Sequence, residues 1–118
     1  MSMNEKAPKP TNVKLGVSLG GLFMKNPVTV ASGTFAAGRE FSDFVDVGAL
    51  GAVTTKGVSL NGWRGNDSPR IAETASGMLN SIGLQNPGVK HLIDNDLAWL
   101  GEQGATTIVN VSGHSADE

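Results

Sequence analysis

Apolar and polar positions alternate from Val13 to Ser18, with Val13, Leu15 and Val17 set against Lys14, Gly16 and Ser18. A period of two predicts a strand with one buried face. Gly20-Gly21 then turns a hairpin, and Leu22 to Lys25 forms the returning strand until Asn26-Pro27 breaks it. Val28 to Ala31 is a short β-branched run that ends at Ser32-Gly33-Thr34. An apolar run that delivers small polar residues is the pattern of a buried parallel strand feeding a loop. From Gly38 to Val47 the period changes: Phe41, Phe44 and Val45 recur at helical spacing between Arg39, Glu40, Asp43 and Asp46. That pattern predicts an amphipathic helix ended near Gly48. Ala52 to Thr55 is the next strand and ends at Lys56-Gly57. Strand, helix and strand in that order argue for a right-handed parallel crossover, hence an α/β fold.

Val58 to Gln85 is a long excursion containing Gly62, Gly65, Asn66, Pro69 and Gly77, with a strand predicted over Arg70 to Glu73. A connection this long in a compact domain is functional or disordered. The apolar Trp63, Ile71, Met78 and Leu79 argue against disorder. Within it, residues 77–88 (Gly-Met-Leu-Asn-Ser-Ile-Gly-Leu-Gln-Asn-Pro-Gly) follow neither the strand nor the helix period. Two readings stand side by side. The segment lays the amides of Asn80 and Asn86 around a flat polar ligand, or it is a plain loop leading to a helix at Pro87. Asn86 is the expected N-cap, with Pro87 as first helical residue. Val89, Leu92 and Ile93 form one apolar face, and Leu97, Trp99 and Leu100 belong to a second helical piece ending before Gly104. Thr107 to Val109 is a third strand, ending at Asn110, and Ser112 to Glu118 could begin another helix.

The chain has 118 residues, 39% hydrophobic and 17% charged, which suits one small folded unit rather than a disordered chain. Net charge is −2 with no basic block, so nucleic-acid binding has no electrostatic support. The chain contains no cysteine, which excludes disulfides, thiolate metal ligands and a cysteine nucleophile within it and fits a cytoplasmic protein. No apolar run approaches the ~20 residues of a membrane span. The polar residues 1–12 read as a disordered tail without the apolar core of a signal peptide.

Three strands end in a polar residue able to touch a ligand: Ser32, Lys56 and Asn110. Sheets of parallel strands bind ligands at the carboxyl ends of those strands. Each residue also has a plainer role. Ser32 alone reads as a cap or turn residue, Lys56 as a surface lysine, and Asn110 as a group that satisfies the backbone at a bend. His91 reads as a solvated helix residue, His114 has no assigned role, and Met78 reads as packing. Asp94 and Asp96 read as solvated or capping acids. No metal site is expected, and Gly16, Gly20 and Gly21 are not a phosphate fingerprint because no helix follows them.

These residues carry a resemblance. Lys25-Asn26-Pro27, Ala31-Ser32-Gly33, Gly38-Arg39-Glu40, Lys56, Gly65-Asn66, Pro69-Arg70, Ala72-Glu73-Thr74, residues 77–88 and Asn110-Val111-Ser112-Gly113 occur in order. Together, over residues 13–118, they resemble the N-terminal portion of the dihydroorotate dehydrogenase family. Ile82 and Gln85 favour its class 1B catalytic subunits over class 1A. The resemblance implies an FMN-binding (β/α)8 TIM barrel, of which this chain supplies an N-terminal hairpin and about the first three βα units. A barrel needs roughly 250 residues. The hairpin would plug the end opposite the flavin.

The resemblance further implies oxidation of dihydroorotate to orotate in pyrimidine biosynthesis, with hydride passing to FMN. Electrons would pass onward to NAD through a partner subunit carrying FAD and an iron–sulfur cluster. The catalytic subunits would form a homodimer. Ser32, Lys56, Gly57 and Asn110 would contact FMN. Lys56, Asn80, Ser81, Ile82, Gly83 and Leu84 would bind substrate. The catalytic base would be a cysteine beyond Glu118, so these residues alone are expected to be inactive. Gly57-Val58 and Trp63-Arg64 depart from the family's usual residues. A non-catalytic module that self-associates through open sheet edges, or another FMN barrel of the dihydropyrimidine dehydrogenase type, are the alternatives.

Overall fold

The computed structural model describes residues 13–118, so the tail expected over 1–12 lies outside the described residues. Its centre is a three-stranded parallel sheet in the order β3-β4-β7, built from β3 (Thr29–Val30), β4 (Ala52–Thr54) and β7 (Thr107–Ile108). The sequence places β4 in the middle because Ala52-Val53 has no polar side to show to water. Both residues are fully buried, as a strand covered on two faces and two edges must be. Registers pair Thr29 with Ala52 and Val53 with Thr107.

One face of β4 is covered by Phe35, Val47 and Leu100, which form with Val53 the buried core. Phe35 lies on α1 (Ser32–Phe35) and stacks on Phe41 with ring centroids 4.8 Å apart. Leu100 comes from a helical run over 89–102, made of α2 (Val89–His91), a π-helical segment (Leu92–Leu97) and α3 (Ala98–Glu102). Burial of an aliphatic side chain of this size contributes about 1.5–3 kcal/mol. Arg39 lies 4.9 Å from the Trp99 ring centroid and donates to the Asn95 carbonyl at 2.8 Å, tying the segment after α1 to the long helix.

Two hairpins project from this centre. In the first, β1 (Val17–Leu19) pairs with β2 (Leu22–Met24) across Gly20 (φ 56°) and Gly21 (φ 89°). Two consecutive positive φ values make the tight turn that the Gly-Gly pair predicts. In the second, β5 (Ile71–Thr74) pairs with β6 (Gly77–Asn80). The radius of gyration, 18.4 Å, exceeds the roughly 13 Å of a compact chain this long, because both hairpins stand away from the core.

Several expectations are corrected. The helix predicted over Gly38 to Val47 does not form. Short 3-10 turns at Arg39–Phe41 and Val47–Ala49 replace it, and Phe44, 84% exposed, has no core to face. Gly38 at φ 91° and the Asp46 side chain, which accepts from Ala49 N, favour turns over helix propagation there. Residues 13–16 lie outside the first strand, and Val13 and Leu15 are exposed rather than buried. The two helical pieces after Pro87 are one continuous run, capped by Gly88 rather than Asn86, with Leu92 buried but Ile93 exposed. Residues 112–118 form bends and no helix.

Candidate functional site

The carboxyl ends of β4 and β7 lie side by side, and their pairing continues beyond the strands. Thr55 N donates to the Ile108 carbonyl at 2.9 Å, Val58 N to the Asn110 carbonyl at 3.0 Å, and Ser112 N to the Val58 carbonyl at 2.9 Å. Between these bonds the fully buried Thr55 hydroxyl accepts from Asn110 N at 3.3 Å. Lys56-Gly57 and Asn110 are thus held at adjacent positions by these backbone bonds and by the Thr55 hydroxyl. The Asn110 side chain is exposed beside buried Gly57: a Cβ placed on Gly57 would stand 3.4 Å from Asn110 Nδ2.

The same virtual Cβ would stand only 2.9 Å from Leu84 Cδ1. The segment 77–88 therefore reaches the strand ends at its centre. It is not wholly a loop: Gly77–Asn80 is strand β6, opposite Ile71–Thr74. Sequence alternation missed this strand because all its residues are exposed. Beyond it the chain bends sharply through Gly83 (φ 74°) and Leu84 (φ 54°), the latter a left-handed conformation that a branched side chain adopts at a cost.

Asn66 and Arg70 shape this bend. Asn66 N donates to the Ile82 carbonyl at 3.0 Å, and Asn66 Nδ2 donates to Ser81 Oγ at 2.9 Å and the Ser81 carbonyl at 3.2 Å. Arg70 donates from Nη1 to Gln85 Oε1 at 2.6 Å and from Nε to the Asn66 carbonyl. Gly83 presses on Asn66 so closely that a Cβ would come 2.6 Å from Asn66 Cγ. Gly65-Asn66 and Pro69-Arg70 carry part of the family resemblance, but no role for them follows from the sequence. The signal that could have found them is the guanidinium fork, which needs several acceptors in one place.

Asn86 does not offer its amide to a ligand, as one reading of the sequence had it. It is buried, and its Oδ1 accepts from Ser59 N, Ser59 Oγ and Gly88 N while Nδ2 donates to the Leu84 carbonyl. Its backbone exchanges two bonds with Trp63. Asn86 is the pin that fixes the end of the segment.

The remaining residues fall apart into distinct places. Lys56 is exposed and, with Arg39, Glu40, Thr55 and Asp96, lines a cavity of about 180 Å³ beside α1. Asn80 and Ser81 line a separate depression along β5 and β6 with Pro69, Ile71 and Leu79. Ser32 is half-buried at the first position of α1 and Ile82 is half-buried in the bend. Gly57, Leu84 and Asn110 come together; Lys56 and Asn80 do not share a cavity. Met78 is 61% exposed and so does not pack. Lys90 and Asp94 form an exposed pair at 2.6 Å, of little energetic weight.

His114 lies against Trp63 with ring centroids 4.2 Å apart and planes tilted by 56°, and its Nδ1 is 3.3 Å from the Glu118 carboxylate. The backbone N–H of His114, donating to the Glu118 carboxylate at 2.7 Å, holds that carboxyl below its ordinary range. Among the described residues no group of three or more His, Cys, Asp or Glu side chains is placed to hold a metal. No helix among them is long and apolar enough to cross a membrane.

Parallel strands joined through helical connections, polar residues at their carboxyl ends and a glycine-bent segment reaching those ends make up an α/β arrangement of the βα type. The family pattern of dihydroorotate dehydrogenase matches residues 14–118, and the chain belongs to that family. It is 58% identical over 102 residues to the dihydroorotate dehydrogenase B (NAD(+)) catalytic subunit of Lachnoclostridium phytofermentans, covering 86% of this chain and 34% of that protein. It is 50% identical over 108 residues to the protein of the same name from Alkaliphilus metalliredigens, covering 92% and 36% respectively. The counterpart from Alkaliphilus oremlandii is 52% identical over 105 residues. The chain spans about a third of the length of the curated relatives it matches.

Proposed function

We propose that this chain forms the N-terminal part of a flavin-dependent dihydroorotate dehydrogenase barrel of the NAD-linked type. The full-length protein would oxidise dihydroorotate to orotate. The observation that carries the proposal is the meeting of Gly57, Leu84 and Asn110 at the carboxyl ends of β4 and β7. It supports a site built from two strand ends and the 77–88 segment, as the family membership leads one to expect.

The groups present suit a planar, polar cofactor. Gly57 offers backbone without a side chain, and the exposed Asn110 amide can donate and accept. Ser32 and Lys56, both at strand ends, complete the set of candidate contacts with FMN. FMN, when bound, supplies the hydride acceptor. The Lys56 ammonium would stabilise developing negative charge. The Asn80 amide would bind the alternating N–H and C=O groups of dihydroorotate, with Ser81, Ile82, Gly83 and Leu84 closing around it. None of the 118 residues is a cysteine, so the base that the family resemblance implies does not come from this segment. Iron–sulfur and FAD chemistry belong to a partner subunit, and homodimerisation of catalytic subunits, cytoplasmic location and a barrel completed by further βα units are parts of the same reading.

The test is dihydroorotate-dependent dye reduction with added FMN, run on the full-length protein and on residues 1–118. Turnover is expected in the first and absent in the second. No turnover by the full-length protein would overturn the reading.

One observation favours a second role for the 118 residues by themselves. Ile71, Met78 and Leu79 are all exposed on one hairpin, and β3 and β7 each have an open edge among the described residues. Such edges pair with other chains. Light scattering after size exclusion separates the readings: a clean monomer would count against self-association.

A further inference from the structure

We infer that Asn66 and Gln85 are positioning residues, which hold the substrate segment in its bent form through a clasp centred on Arg70. This rests on the proposed function but concerns residues to which that reading gives no role.

The bend at Gly83-Leu84 does not maintain itself. Leu84 sits at φ 54°, which a leucine avoids unless its surroundings over-determine it. Its neighbours do so from one side. Asn66 takes the Ser81 and Ile82 carbonyls and the Ser81 hydroxyl through its backbone and side-chain N–H groups. Asn66 is itself anchored, because its carbonyl accepts from Arg70 Nε. The same guanidinium reaches Gln85 Oε1 at 2.6 Å and the Arg64 carbonyl at 3.1 Å. One planar fork therefore joins the start of the bend, through Asn66, to its end at Gln85. A lysine could not make these divergent bonds at fixed angles.

The geometry has a functional direction. When the clasp is closed, the Leu84 side chain lies over Gly57 at the strand ends. Without the Asn66 and Gln85 bonds, Ser81 keeps one bond, from its N to the Arg70 carbonyl at 2.7 Å, which ties it to the hairpin and not to the bend at Gly83-Leu84. Neither Asn66 nor Gln85 needs to touch a ligand. Both act by keeping the Ser81–Leu84 backbone preorganised, which lowers the ordering cost of binding.

The experiment compares Gln85→Met, Gln85→Glu and Asn66→Ala in the full-length protein, by amide hydrogen exchange and by steady-state kinetics with dihydroorotate. Gln85→Met keeps the length and removes the acceptor; Gln85→Glu keeps an acceptor for Arg70. Exchange at the amide of residue 66, which donates to the Ile82 carbonyl, and at that of Ser81, which donates to the Arg70 carbonyl, is expected to quicken about tenfold in Gln85→Met and more in Asn66→Ala, as loss of one hydrogen bond implies. Gln85→Glu should restore the slow rate. In kinetics, the Met variant should raise KM about tenfold with kcat within about twofold, a split that general destabilisation would not give. Unchanged exchange in both Gln85→Met and Asn66→Ala, or equal behaviour of the Met and Glu variants, would overturn the clasp. If the wild-type protein does not turn over dihydroorotate, the functional reading fails while the exchange data still decide whether the clasp exists.

Discussion

Replacing Gly57 by alanine tests whether Leu84 is packed against the strand ends. The added Cβ would stand 2.9 Å from Leu84 Cδ1, well inside the 3.5–4.0 Å of a comfortable carbon–carbon contact. Leu84 must swing off its rotamer or the bend must shift, at about 1–3 kcal/mol for overpacking. Against this stands a gain of about 0.4–1 kcal/mol, because alanine restricts the unfolded chain more than glycine does. The clash wins, and a net loss of about 1 kcal/mol is expected. In a Leu84→Ala background the obstructing methyl group is gone, so the same substitution should be neutral or stabilising. The assay is a double-mutant cycle by urea unfolding, in which contacting residues show coupling well above the few tenths seen for distant ones. Additive effects, with Gly57→Ala equally costly in both backgrounds, would refute the contact and with it the joining of residues 77–88 to the end of β4.

Leu100→Ala empties the centre of the core, where Leu100 is completely buried; a loss of about 3–5 kcal/mol is expected in urea unfolding. Gly83→Ala combines a positive φ with a Cβ 2.6 Å from Asn66 Cγ, and should lower the unfolding free energy by more than about 2 kcal/mol. On the proposed function, Lys56→Met removes one exposed charge from the flavin site, and dihydroorotate oxidation by the full-length protein is expected to fall about 10²-fold with the thermal midpoint within a few degrees of wild type. Glu118 has a lowered folded pKa, so its contact with His114 is complete above the ordinary carboxyl range and is lost as pH falls through the folded value. The His114 amide chemical shift should therefore titrate with a midpoint below that of an unperturbed glutamate; a midpoint at or above it would contradict the contact.

The strands were legible where burial was two-sided. Ala52-Val53 stands out because an apolar run bounded by polar residues has one simple home. The Gly20-Gly21 turn was legible because few dipeptides adopt two positive φ values. Residues 38–47 misled because Phe41, Phe44 and Val45 satisfy a helical spacing, yet only Phe41 reaches the core, through its stack on Phe35. Strand β6 was illegible because an exposed hairpin leaves no buried face to set a period. Asn110 was legible as a strand end, and the structure sets it beside Gly57 after β4. The role of Asn86 was not legible, because a buried amide spent on Ser59 and Gly88 looks in sequence like an amide free for a ligand.

The central position of β4 also orders events in time. Its adjacent amides face opposite edges: Ala52 N donates to the Val28 carbonyl, and Val53 N to the Thr106 carbonyl. The second pairing closes more than twice the length of chain closed by the first, an added entropic cost of under about 1 kcal/mol, and the β5–β6 hairpin and the long helix lie within that longer loop. In pulsed-labelling refolding, Ala52 should gain protection before its immediate neighbour Val53. The adjoining ends of β4 and β7 would then be the last part of this sheet to form, and a chain caught halfway would own a hydrophobic centre without the paired strand ends.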